Sequence, residues 1–102
     1  MVRVPTDREP THPGEILRED FLEPMGVKQQ ELANAIHVPF QRVNEIVRCR
    51  RAVSTSTALR LARYFGTSAG FWMNLQLRYG LYETERSERD ALEEIEPLHQ
   101  TS

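Results

Sequence analysis

The stretch Lys28-Gln29-Gln30-Glu31-Leu32-Ala33-Asn34-Ala35-Ile36-His37-Val38-Pro39-Phe40-Gln41-Arg42-Val43-Asn44-Glu45-Ile46-Val47-Arg48-Cys49 decides the fold. Leu32, Ala33 and Ile36 share one face of a first helix, because residues three and four apart align along a helix. Val43, Ile46 and Val47 do the same for a second. Pro39 marks the start of that second helix, since a first turn tolerates a residue without an N–H. Only His37 and Val38 lie between the two faces, which forces a sharp change of direction. Ala33 is small where the helices approach each other. The pattern predicts a helix-turn-helix whose second helix is shaped to enter a DNA major groove.

The polar side of the second helix fits that reading. Glutamine and asparagine can bond adenine, arginine can bond guanine, and glutamate can accept from cytosine. Gln41, Arg42, Asn44 and Glu45 are therefore the expected base-reading residues, with Phe40 placed to meet a thymine methyl or cover the core. Lys28, Gln29, Arg48, Arg50 and Arg51 flank them and are expected to hold phosphates. Glu45 has two possible roles: accepting from a cytosine, or orienting Arg42 or Arg48 through an ion pair. An ordinary helical hairpin with a solvated face is the bland alternative; Pro39 and the trailing arginines argue against it.

Charge is unevenly spread. The chain carries a formal net charge of −2. From Lys28 to Arg63, however, seven basic residues face two acids, a local +5. From Glu83 to Glu96, seven acids face two arginines, a local −5. A basic centre beside an acidic end suits a small DNA binder whose other surfaces serve other contacts.

Working outward, His12-Pro13-Gly14-Glu15 opens a helix, with Pro13 at its first position and Glu15 favoured by the helix dipole. Ile16, Leu17, Phe21 and Leu22 form its apolar stripe; Pro24 and Gly26 are expected to end it. Ser54-Thr55-Ser56-Thr57 supplies a cap for a helix that Gly66 stops. Arg60 and Arg63 lie on its outer side and read as solvated charges. Thr67-Ser68 caps a further helix through Phe71, Trp72, Leu75, Tyr79 and Tyr82, which is apolar on more than one side. The prediction is an all-α chain with helices near 13–23, 28–36, 39–48, 55–65 and 69–84, and a short sixth near 88–95. Leu17, Phe21, Leu32, Ile36, Val43, Ile46, Leu59, Leu61, Ala62, Phe65 and Trp72 are the expected core.

The 102 residues suit one domain. Residues 1–11 read as a flexible arm, 12–85 as the DNA-binding and dimerisation domain, and 86–102 as an acidic tail with a short helix. The surplus apolar surface of the helix from Trp72 to Tyr82 predicts a two-fold homodimer. Symmetry then presents two reading helices about 34 Å apart, on a palindromic operator in double-stranded DNA. No stretch has the length of a membrane span. The lone Cys49 fits a reducing cytoplasm. His12, His37 and His99 are isolated, with no metal-ligand spacing and no catalytic set, so neither enzyme chemistry nor a cofactor is expected.

His12-Pro13-Gly14-Glu15-Ile16-Leu17, the helix-turn-helix, the run Ala58-Leu59-Arg60-Leu61-Ala62-Arg63-Tyr64-Phe65-Gly66-Thr67-Ser68, and Phe71-Trp72-Met73-Asn74-Leu75-Gln76 resemble the HigA antitoxins. These belong to the XRE group of regulators, whose DNA-binding domain is similar to lambda repressor. The resemblance covers residues 11–85. It implies a five-helix, homodimeric autorepressor and a cognate HigB/RelE-like toxin that cleaves mRNA on the ribosome. The acidic arms, Asp7, Glu9 and Glu83 to Glu96, are the expected contacts for a basic toxin. The alternative is a stand-alone XRE-family regulator, distinguished by the neighbouring gene. An interaction module that does not read DNA is a third reading, opposed by Arg48, Arg50 and Arg51. Two positions depart from the family pattern. His37 stands where glycine is frequent in the turn, and Arg48-Cys49 replaces an Asn-Gly pair. Histidine is among the less penalised residues at positive φ.

Overall fold

The computed structural model describes residues 9–98, and every regular element among them is a helix. The first, α1, runs from Pro13 to Met25. It starts as an α-helix (Pro13–Ile16), widens into π turns (Leu17–Leu22), and closes with a last α-turn (Glu23–Met25). Then follow α2 (Gln29–Ile36), α3 (Phe40–Val47), α4 (Thr55–Phe65), α5 (Ala69–Ser87) and α6 (Arg89–Glu93). None of the described helices is long and apolar enough to cross a membrane.

Pro24 does not end α1, as the sequence suggested; the helix carries it. A proline ring collides with the carbonyl four residues back in a regular α-helix. Here the turns just before it are wider, with the Glu23 N–H bonding the Arg18 carbonyl five residues away. Gly26 supplies the stop, at φ +67°.

Three helices end in the same way. At α1, α2 and α3 a residue in the left-handed conformation lets its own N–H and that of the residue after it turn back onto free carbonyls. Gly26 bonds Glu23 and Val27 bonds Leu22; His37 bonds Asn34 and Val38 bonds Ala33; Cys49 bonds Ile46 and Arg50 bonds Glu45. This double bond satisfies carbonyls a helix end would otherwise leave open. His37 sits at φ +61° and Cys49 at φ +62°. Both departures from the family's glycines thus fall on positions where the backbone is left-handed.

The core gathers Leu17, Leu22, Leu32, Ala33, Ile36, Val43, Ile46, Val47, Val53, Ala58, Leu61 and Trp72. Trp72 is fully buried among Phe21, Phe65 and Phe71, and its indole Nε1 donates to Thr67 Oγ1 at 2.9 Å. Such rings supply large apolar area, and the indole N–H needs its partner when buried. Phe21, Ala62 and Phe65, expected inside, are half-buried, and the two phenylalanines pack at the edge of this cluster. Leu59 contradicts the expectation: it is 63% exposed. The inward stripe of α4 is Ala58, Leu61 and Phe65, and a residue one step from Ala58 is turned about a quarter of the way around the helix. Helix α5 runs to Ser87, beyond its predicted end. It keeps Trp72 inside and exposes Leu77 and Leu81.

Of the predicted arm, Glu9, Pro10 and Thr11 are described; Asp7 and His99 lie outside the described residues. His12 is not a solvated group. It caps α1, with Nδ1 accepting from the Gly14 N–H at 2.8 Å, and its ring meets Tyr79 edge-on.

Candidate nucleic-acid interface

Helices α2 and α3 form the expected helix-turn-helix. Val43, Ile46 and Val47 are buried, so the opposite side of α3 must face outward. Pro39 stands just before the helix with extended backbone, and its carbonyl accepts from the Arg42 N–H. Phe40 is exposed at the first turn.

The loop after α3 brings the arginines back beside the reading side. Because Cys49 is left-handed, Arg50 folds onto the Glu45 carbonyl instead of continuing along the helix axis. Gln41, Asn44, Glu45, Arg48, Arg50 and Arg51 then line one concavity of about 360 Å³. The loop is held from behind: the Val53 N–H donates to Gln76 Oε1 of α5 at 2.8 Å. The Phe-Trp-x-Asn-Leu-Gln segment therefore serves the interface twice, through the Trp72 core and the Gln76 strap.

Glu45 is at the centre of a small network. Its carboxylate accepts from Arg51 Nε at 2.7 Å and from Gln41 Nε2 at 3.1 Å. The Arg51 hydrogen bond, reinforced by the Arg51 charge, by Gln41 and by the nearby Arg42, holds the Glu45 carboxyl below the usual carboxylate range. Of the two roles the sequence leaves open for Glu45, the ion pair is present, but with Arg51 rather than Arg42 or Arg48. The turn at Cys49 brings Arg51 back, while Arg48 closes the helix end.

Asn44 and Gln29 are joined as well. Asn44 Nδ2 donates to Gln29 Oε1 at 3.0 Å, tying the first turn of α2 to the reading helix. Lys28 is exposed at the start of α2, where its N–H meets the Glu31 carboxylate. Arg42 is half-buried on α3 and does not line the concavity. All nine predicted residues thus lie on α3, on the first turn of α2 or on the loop that follows α3. Sequence reading missed the supports: the Gln29–Asn44 pair, the Gln76 strap, and Arg60. The last is no free surface charge, since its Nη1 donates to the Ile36 carbonyl at 2.7 Å and so caps α2. An arginine placed 24 residues after a helix end leaves no local signal.

The scaffold matches known proteins over most of its length. A family model described as helix-turn-helix matches residues 19–72. The chain is 49% identical over 87 residues to virulence-associated protein I of Dichelobacter nodosus, covering 85% of this chain and 80% of that one. It is 31% identical over 93 residues to antitoxin HigA-1 of Vibrio cholerae, covering 91% and 88%. Among solved structures, the Pseudomonas aeruginosa antitoxin HigA, solved with the higBA promoter, matches with a TM-score of 0.84 at 47% identity, over 88% of this chain and 99% of that chain. The chain belongs to the XRE-type helix-turn-helix family of DNA-binding regulators and, within it, groups with the HigA antitoxins.

Proposed function

We propose that this protein is the antitoxin of a type II toxin–antitoxin pair. As a homodimer in the cytoplasm it binds a palindromic operator, represses its own operon and neutralises a HigB/RelE-like mRNA-cleaving toxin. The observation that carries the reading is the concavity on α3, where base-reading amides and phosphate-seeking arginines meet, on a scaffold like that of an antitoxin solved with its promoter.

In this reading Gln41, Arg42, Asn44 and Glu45 face base edges. Lys28, Gln29, Arg48, Arg50 and Arg51 hold the phosphates that set the register. Gln29 takes part through Asn44, so the α2 end and the reading helix dock as one unit. Leu77 and Leu81, 58% and 63% exposed and one turn apart on α5, support a two-fold contact that buries them. The exposed acids of α5 and α6 favour a basic toxin.

The test has two arms. DNA from upstream of the gene should be retarded by the protein, and the free protein should be a dimer by light scattering. Co-expression should restore growth to cells carrying the neighbouring small toxin gene. Retardation without rescue would leave a stand-alone regulator. Absence of both retardation and rescue would overturn the reading.

A further inference from the structure

A second concavity lies apart from the one on α3, with no lining residue in common. Between the end of α2 and the outer side of α4 lies a groove of about 880 Å³. Ala35, Ile36, Leu59 and Tyr64 give it an apolar floor; Arg60 and Arg63 give it positive charge. Neither arginine forms a salt bridge among the described residues. The exposed Leu59 is thus the apolar centre of a basic groove rather than an isolated surface leucine.

The other end of the chain has the complementary chemistry. Leu92, Ile95 and Leu98 are 41%, 68% and 91% exposed and recur every third residue, while Glu93, Glu94 and Glu96 lie between them. An apolar edge lined with acids matches an apolar groove lined with arginines in both hydropathy and charge. In its own protomer this segment is carried outward. It follows α5, a helix of 19 residues that spans about 28 Å, and packs chiefly against that helix. Residues 94–98 add a reach of about 17 Å when extended.

We infer that the acidic tail, residues 89–98, of one copy docks in the α2–α4 groove of a second copy. Leu92 and Ile95 lie on Leu59, Ile36 and Tyr64, and the tail's glutamates meet Arg60 and Arg63. The contact rests on the self-association proposed above only in needing a second copy; it does not use Leu77 or Leu81. A basic toxin that takes the same glutamates would compete with the groove for them.

The test uses the full chain with Ile95→p-benzoylphenylalanine, made in ordinary and in nitrogen-15 form, mixed in equal amounts and irradiated. Mixed-isotope crosslinks to peptides within residues 52–64 are expected. Arg63→Glu should lower their yield by about fivefold, the effect of losing roughly 1 kcal/mol of ion pairing. Operator binding should not change, since Arg63 does not line the concavity on α3. Crosslinks within one isotope only would place the tail on its own chain and overturn the inference. So would crosslinks confined to α5, which would keep the dimer while rejecting the groove, or no crosslink at all. Light scattering reads the dimer independently of these outcomes.

Discussion

Gly14 lies against the carbonyl oxygen of Ile46 with no room for a Cβ between them. The contact joins the first turn of α1 to the last turn of α3, so the start of the chain's first helix helps to hold the end of the reading helix. Only glycine lets two backbones approach this closely. The obstacle is backbone, and the same oxygen accepts from the Cys49 N–H at 2.9 Å, so it is fixed by the helix end.

Gly14→Ala should therefore destabilise the fold by about 3 kcal/mol or more, the range of severe overpacking. Urea denaturation monitored by far-ultraviolet circular dichroism would measure it. A loss below about 1 kcal/mol would mean that α1 slides off α3 without penalty.

Glu45 restrains Arg51 through their 2.7 Å bond. Glu45→Gln should release that arginine, raise affinity for scrambled DNA and steepen the salt dependence by about one phosphate contact. Arg51→Ala should do the opposite on all sequences. By contrast, Gln41→Ala and Arg42→Ala should cost about 1–3 kcal/mol each, on the operator and not on scrambled DNA. Titrations on both DNAs at two salt concentrations separate the classes. Equal losses on both DNAs for Gln41→Ala and Arg42→Ala would reject base reading by these residues.

Burial pushes the His12 imidazole below its ordinary value of 6.5, against a smaller upward pull from Glu15. The unfolded chain then takes up the proton first as pH falls. The neutral ring's contribution is fully present above about pH 6.5 and is lost as pH drops from there through the folded-state value. Protonation also removes the Nδ1 lone pair that accepts from Gly14. Melting temperature should be level above neutrality and fall in mild acid. His12→Asn, which keeps an acceptor at the cap, should flatten the decline.

Cys49 holds a left-handed conformation that side chains other than glycine adopt at a cost of roughly 1 kcal/mol. Cys49→Gly should stabilise the protein by up to about 1 kcal/mol, reduced by the greater freedom of glycine in the unfolded chain. Thermal unfolding at neutral pH checks the sign. A destabilised variant would show that the Cys49 side chain contributes more packing than its exposure suggests.

The sequence by itself determined the all-α class, the helix-turn-helix and its nine candidate DNA contacts. These are local properties: apolar residues three and four apart define a buried face, and whatever stands opposite must be solvated. It also singled out His37 and the Arg48-Cys49 pair as departures, and His37 and Cys49 proved to be left-handed helix ends. Only the tertiary structure decided how the contacts are organised. Glu45 pairs with Arg51, Asn44 with Gln29, Gln76 straps Val53 and Arg60 caps Ile36. Each pair except the first spans 15 residues or more, and the first depends on a chain reversal at one left-handed residue. Leu59 shows the same limit in reverse. Its hydrophobicity is visible in the sequence, but a helix with apolar residues on adjoining positions does not say which of them faces the core. The packing of α4 against α2 and α5 makes that choice.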